Sequence, residues 1–272
     1  RAMTQEIINQ CLDLVKEVAQ FQLKFFRAMP EQAEGEDVMK NPSEMVSFVD
    51  VESERMLKEG LLPLVEGAGF YGEESGKTGS QDLVWIVDPL DGTTNYLNGL
   101  DQFSISVALV QNGEPILGIV HRPVGGETYS SLKGHGVLLN GKKTVITNIN
   151  RPANEALFGT GFPYRSEDLQ DAFFKTAPEV LKLGRGMRRM ASAALDVSYL
   201  SVGFLQGFWE SDLQPYDIAA GMLFMKENGV TVTNHNGEPY NMITDRIMVA
   251  ALPNVHGELL ECVRRHYSEV VE

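Results

Sequence analysis

Apolar residues recur at three- and four-residue steps at the start of the chain. Ile8, Leu12, Val15, Ala19, Leu23 and Phe26 fall on one side of a helical projection, which predicts an amphipathic helix over residues 4–28. A second helical pattern runs from about Asp50 to Leu62, where Pro63 ends or bends it. The period then drops to two. Residues 83–87 read as a buried strand, residues 104–109 alternate, and residues 116–120 follow across Asn112-Gly113, a hairpin turn signal. Further strands fit residues 128–132 and 136–139, the latter entering a turn at Asn140-Gly141.

Beyond about residue 150 the elements alternate. The pattern predicts strands at 156–159, 207–210, 230–233 and 247–251, and helices at 167–183, 192–205, 217–228 and 255–270. Hairpins in one half and alternation in the other predict an α/β protein in which helices are layered against two sheets. No internal repeat or Gly/Ser-rich linker divides the chain. Residues 1–272 therefore read as a single compact unit, with a hairpin-rich half to about residue 150 and an alternating half over 151–272.

Composition is ordinary for a globular chain, at 43% apolar and 22% charged residues with 26 Gly and 12 Pro. It excludes a disordered, collagen-like or low-complexity polypeptide. No apolar run approaches the roughly 18 residues of a membrane span, and the first residues lack the basic-then-apolar pattern of a leader. The two cysteines, Cys11 and Cys262, stand near opposite ends without metal-site spacing, so the expected setting is a reducing cytoplasm. Net charge is −14, and no basic stripe exceeds Arg188-Arg189 or Arg264-Arg265, which argues against direct nucleic-acid binding. An acidic surface also repels anionic substrates, so any phosphate chemistry here requires metal cations.

The segment that carries most chemistry is Trp85-Ile86-Val87-Asp88-Pro89-Leu90-Asp91-Gly92-Thr93-Thr94-Asn95-Tyr96. A buried strand delivers Asp88 at its carboxyl end, the usual place for ligands in α/β sheets. Pro89 has no N–H and restrains the backbone, so Asp88 and Asp91 can converge with the Leu90 carbonyl between them. Such hard oxygen ligands suit Mg²⁺ rather than zinc. Gly92-Thr93-Thr94 then offers N–H groups and hydroxyls for a phosphate at a helix start. Three other segments are ambiguous alone. Gly72-Glu73-Glu74-Ser75 is equally a charged surface turn, and Asp50 and Asp217 are equally helix caps.

Taken in order, these segments resemble the inositol monophosphatase family of metal-dependent phosphatases. The first signature matches from Trp85 to Asn98, Tyr216-Asp217-Ile218-Ala219-Ala220-Gly221 carries the second, and Gly72-Glu73-Glu74-Ser75 is a third marker. Gly159-Thr160-Gly161-Phe162-Pro163 and Arg188-Arg189-Met190-Ala191-Ser192-Ala193-Ala194-Leu195-Asp196 are similar to bacterial members.

The resemblance implies a sugar-phosphatase fold with α-β-α-β-α layers, a homodimer, lithium sensitivity and two or three Mg²⁺ per subunit. One ion would bind Glu73, Asp88 and the Leu90 carbonyl, a second Asp88, Asp91 and Asp217, and a weaker third Glu73. Activated water would attack the phosphomonoester without a covalent enzyme intermediate, oriented by Glu73 and by Thr93 hydrogen-bonded to Asp50. Gly92 and Thr93 would hold phosphate oxygens, with Asp91 beside them. Ala193, Glu210 and Asp217 would hold hydroxyls of the leaving alcohol. Myo-inositol monophosphate is the implied substrate. Fructose 1,6-bisphosphate, histidinol phosphate and nucleotide 3′-phosphates are alternatives, as is a non-enzymatic role beside a transcription or RNA-processing complex.

Lys40 falls in the family's metal-site loop, whereas His121 and His135 have no part in its chemistry. Tyr216 stands where most relatives have Trp, and Ala191 where many have Gly. A haloacid-dehalogenase-like reading of Leu90-Asp91-Gly92-Thr93 fails, because Pro89 occupies the position of the nucleophilic Asp.

Overall fold

The first amphipathic stripe forms α1 (Gln5–Phe25), capped by Thr4, whose hydroxyl accepts from the Ile7 N–H. In the computed structural model, which describes residues 4–28 and 42–272, the next helix is α2 (Pro42–Leu61). It starts well ahead of Asp50, because Pro42 suits a first helical position and Met45, Val46 and Val49 already carry the buried face. Asp50 is thus a buried carboxyl inside the helix rather than a cap before it. Lys40 lies outside the described residues.

Eight strands follow in one sheet: β1 (Gly69–Gly72), β2 (Gly76–Thr78), β3 (Leu83–Asp91), β4 (Ser104–Gln111), β5 (Glu114–Arg122), β6 (Glu127–Leu132), β7 (Val137–Leu139) and β8 (Lys142–Lys143). Their order is β2-β1-β3-β4-β5-β6-β7-β8, with β1 parallel to β3 and every other pair antiparallel. The β4–β5 turn places Asn112 at φ 49° and Gly113 at φ 81°, and the β7–β8 turn repeats this with Asn140 at 51° and Gly141 at 80°. Two consecutive positive φ values are the hairpin geometry that Asn-Gly favours.

The second sheet holds β9 (Leu157–Thr160), β10 (Gly186–Arg188), β11 (Gly207–Ser211), β12 (Thr231–Thr233) and β13 (Ile247–Ala251). Its order is β10-β9-β11-β13-β12. The remaining helices are α3 (Thr93–Leu97), α4 (Gln170–Leu183), α5 (Ala193–Ser201), α6 (Pro215–Glu227) and α7 (Pro253–Tyr267). Helix α5 stops short of the expected residue 205, since the chain turns at Gly203 with φ 88°.

Helices α1 and α2 cover one face of the first sheet, α5 and α6 lie between the sheets, and α4 and α7 cover the second. The predicted α-β-α-β-α layering is what forms. Strand β3 shows how the sequence builds it: Trp85 and Val87 join the core under α1 and α2, while Val84 and Ile86 join the core between the sheets. A period-two strand buried on both faces separates its side chains in this way. The small residues after Asp217 serve the same packing, for a Cβ on Gly221 would come within 2.1 Å of Val197 on α5. Among the described residues no helix is long and apolar enough to cross a membrane, and Cys11 and Cys262 are buried free thiols.

Candidate active site

The site begins where β3 loses its regular pairing. The ladder to β4 shifts register between Asp88 and Asp91, and the peptide between them runs through Pro89. Asp88 and Asp91 are buried, and Asp88 Oδ1 accepts from the Leu90 N–H at 3.2 Å. The back of this turn is held by a residue the sequence did not single out. Gln22 of α1 donates to the Pro89 carbonyl at 2.6 Å and to Ser53 of α2 at 3.2 Å, while its own carbonyl accepts from Tyr96 at 2.7 Å.

Asp217 arrives from the first turn of α6. One carboxylate oxygen accepts from the Gln214 N–H at 2.9 Å as half of a capping box, so the capping role is real. The side chain also meets the β3 carboxyls: one oxygen each from Asp88, Asp91 and Asp217 lie within 4.8 Å of one another. Asp91 is aimed by α5, whose Ser192 hydroxyl and Ala194 N–H donate to its Oδ2 at 2.6 and 2.9 Å. Glu73 stands exposed at the rim on the β1–β2 turn. Glu54 of α2, also not anticipated, anchors that turn by accepting from the Glu74 and Ser75 N–H groups at 3.0 and 2.7 Å. The fit demands Gly72, where a Cβ would sit 2.3 Å from a Glu54 oxygen.

These acids crowd one another, and Arg165, which lines the same cleft, only partly offsets their charge at Glu73 and Asp217. Among the described residues, no lysine or arginine forms an ion pair with Glu73, Asp88, Asp91 or Asp217. Burial first, then the neighbouring carboxylates Asp91, Asp217 and Glu73, raise the Asp88 carboxyl far above its ordinary value. Burial and Asp217 push Asp91 up to about 7, the Ser192 and Ala194 hydrogen bonds opposing. Asp217 and Glu73 are also raised by burial, Asp217 further by Glu73 and Glu73 further by Glu74 and Asp91. Asp50 is lifted to about 8 by burial and then by Glu73, Glu74 and Glu54, and its Oδ1 has no hydrogen-bond partner. A divalent cation with hard oxygen ligands is the group that answers this cluster.

A cleft of about 530 Å³ opens over the acids. Its walls bring together every residue nominated from the sequence except Asp50: Glu73, Asp88, Leu90, Asp91, Gly92, Thr93, Ala193, Glu210 and Asp217. The expected bond from Thr93 to Asp50 is not formed. Thr93 opens α3 three residues after Leu90, and its hydroxyl donates to that nearby carbonyl at 3.1 Å. Glu210 lies against Gly161, and burial with the nearby charges of Asp196, Asp217 and Asp91 raises its carboxyl well above the ordinary value.

The rim also holds residues not assigned from the sequence. The Arg189 guanidinium lies 4.6 Å from the Phe162 ring centre and 5.0 Å from that of Tyr164, within cation–π range of both. Tyr216 packs edge-on to Tyr71 at 5.7 Å, which keeps an aromatic in the family's Trp position. His121 is buried on Thr128 at 2.7 Å and His135 is exposed on the β6–β7 turn, both away from the acids.

Ala191 has φ 64° beside the cleft, a left-handed conformation that costs an L-residue roughly 1–2 kcal/mol. Ala191→Gly is therefore expected to raise unfolding stability by about 1 kcal/mol in urea titration. A loss of stability would show that the Ala side chain contributes more than its backbone costs.

Comparison with known proteins agrees with this geometry. The sequence matches the inositol monophosphatase family over residues 3–271. It is 32% identical to an inositol-1-monophosphatase of Caulobacter vibrioides over 228 residues, 83% of this chain and 89% of that one. It is 36% identical to a putative Nus factor SuhB of Neisseria meningitidis over 226 residues, 82% of this chain and 86% of the relative. The crystal structure of the extragenic suppressor protein suhB from Bartonella henselae superposes with a TM-score of 0.84 at 26% identity, covering 96% of this chain and 99% of that one. With the layered fold and the acidic cleft already in place, the match along nearly all of its length shows that the chain belongs to the inositol monophosphatase family, whose members are metal-dependent phosphoric monoester hydrolases.

Proposed function

We propose that the protein hydrolyses a small phosphomonoester, with myo-inositol monophosphate as the substrate and Mg²⁺ at the acidic centre. The observation that carries this reading is the convergence of Asp88, Asp91 and Asp217, with one carboxylate oxygen from each within 4.8 Å of the others. Glu73, Asp88 and the Leu90 carbonyl would hold one ion, Asp88, Asp91 and Asp217 a second, and Glu73 a weaker third. Bound there, Mg²⁺ supplies charge for the phosphoryl oxygens and lowers the pKa of attacking water.

The chain's own groups do the rest. Glu73, its carboxyl raised above the ordinary value by burial and Glu74, accepts the water's proton. The Thr93 hydroxyl orients that water, and Asp50, with one oxygen unpartnered, receives the hydroxyl when the Leu90 carbonyl is otherwise engaged. N–H groups of Gly92 and Thr93, beside Asp91, hold phosphate oxygens. The Ala193 backbone, Glu210 and Asp217 take hydroxyls of the leaving alcohol.

The test is phosphate release with and without Mg²⁺ from myo-inositol 1-phosphate, fructose 1,6-bisphosphate, histidinol phosphate, NADP and adenosine bisphosphate. Mg²⁺-dependent release from the inositol ester above the others supports the reading, and preference for another compound transfers the assignment to it. The Glu210 role has its own probe. A Cβ at residue 161 would come 1.7 Å from Glu210 Oε1, so Gly161→Ala displaces the carboxylate. Loss of one charge-assisted hydrogen bond should raise KM about tenfold or more with a smaller change in kcat. An unchanged KM removes Glu210 from the alcohol site.

A homodimer in the cytoplasm completes the proposal. The buried free thiols of Cys11 and Cys262 suit a reducing compartment, and light scattering tests the dimer. The Neisseria relative's name as a putative Nus factor supports a second reading, a role beside transcription through protein contacts. That role would survive loss of the acidic centre.

A further inference from the structure

A second cavity, of about 650 Å³, lies between the N-terminal half of α1 and the edge of the first sheet around β6 and β7. Its volume is in the range of small-molecule sites. The chemistry is the reverse of the catalytic cleft. The chain carries 37 acidic residues and a net charge of −14, yet among the described residues no Asp or Glu lines this cavity, while Lys16 and His135 do. Glu227 stands behind this wall with its carboxylate engaged by the Gly136 N–H at 2.8 Å, and the lining itself offers basic and neutral groups, which favours an anion over a cation.

The lining is part polar and part apolar. Ser130 on β6 is 4% exposed, and among the described residues its hydroxyl bonds no protein group. Its neighbour two positions back, Thr128, is already engaged by His121 at 2.7 Å and by the Gly126 carbonyl at 3.3 Å. Ser130 therefore offers the cavity wall an accessible hydroxyl that no protein group engages, free to bond a ligand. Lys16 forms no ion pair among the described residues and lies close enough to the buried His121 ring to disfavour its protonation. Ile8, Leu12 and Leu132 contribute apolar surface. An ammonium outside any ion pair, an unengaged hydroxyl and aliphatic side chains together describe a ligand with an apolar body and one anionic group.

We propose that this cavity binds a small organic anion, its acid group against Lys16 and Ser130 and its body against Ile8, Leu12 and Leu132, at a site separate from the acidic centre. The inference does not depend on the catalytic reading, because it uses none of that cleft's residues.

The probe is 8-anilinonaphthalene-1-sulfonate, an aromatic body with one sulfonate, titrated by fluorescence against the full-length protein. One saturable site is expected. Lys16→Glu, on an exposed helical position that folding tolerates, should weaken it about tenfold or more by exchanging attraction for repulsion. Lys175→Glu, an exposed lysine of α4 that does not line the cavity, should leave the affinity unchanged. Ser130→Leu, which projects aliphatic bulk into the cavity and removes the hydroxyl, should also weaken binding about tenfold or more. Equal weakening by the two lysine variants would mean diffuse adhesion of an anion and overturn the proposal. So would strengthening of probe binding by Mg²⁺ together with its loss in Asp88→Asn, which would place the probe at the acidic centre.

Discussion

Asp88→Asn is expected to lower Mg²⁺-dependent phosphate release by about 10³-fold or more while the protein stays folded, because several kcal/mol of charge stabilisation is lost and each 1.36 kcal/mol is a factor of ten. Burial and the charges of Asp91, Asp217 and Glu73 act together on Asp88, and in the proposed reading it is the carboxylate that both cations would use. An amide keeps its size but cannot carry the charge. The fold has no reason to suffer, since a buried carboxyl repelled by Asp91, Asp217 and Glu73 is a cost to the metal-free protein. Without metal, the variant should therefore unfold at the wild-type temperature or above it. Release measured on the inositol ester, paired with thermal unfolding in EDTA, separates the outcomes. Full activity in the variant would remove Asp88 from the reaction. Loss of activity together with a large fall in Tm would make its role structural.

The parts of the site that could be read from the sequence are those built locally. Asp88, Pro89, Leu90 and Asp91 occupy consecutive positions, and the covalent restraint of Pro89 lets one segment foretell its own geometry. Asp217 was ambiguous between cap and ligand because the same carboxylate is placed for both. The supporting groups could not be found this way. Gln22 reaches Pro89 across 67 positions of sequence and Ser192 reaches Asp91 across 101. A glutamine on an amphipathic helix and a serine before another carry no mark of their distant partners. Glu54 looks like one more helical surface acid until the β1–β2 turn lands on it. Asp50 was displaced for a related reason: the preceding Met45, Val46 and Val49 extend the buried face, and tertiary packing carried the helix back to Pro42. Strands such as β2, β8 and β10 are too short to show a period, and their pairing partners define them.

Mg²⁺ should oppose the pH dependence of stability, an effect that reaches the whole fold. Asp91 and Asp50 have ordinary values of 3.8 and are lifted to about 7 and about 8 by burial and neighbouring carboxylates. A folded state with raised carboxyls keeps protons that the unfolded chain has already released. The stability these groups contribute is full below about 4 and is lost as pH climbs through 7 and 8. Metal-free protein should therefore be more stable at pH 5 than at pH 8. A cation needs the ionised carboxylates, so its contribution runs the other way. At one hundred times Kd it adds about 2.7 kcal/mol at pH 8, or roughly 5–10 °C in Tm, and little at pH 5. Differential scanning fluorimetry at both pH values, in EDTA and in saturating Mg²⁺, reads both slopes. A metal-free protein whose Tm is flat from pH 5 to 8 would mean that water relieves the buried carboxyls. A Mg²⁺ shift equal at the two pH values would place the ion on groups other than these. A Mg²⁺ contribution that grows with pH would show that the cation replaces the protons the cluster otherwise holds, so that the same acids that destabilise the empty site give it affinity when filled.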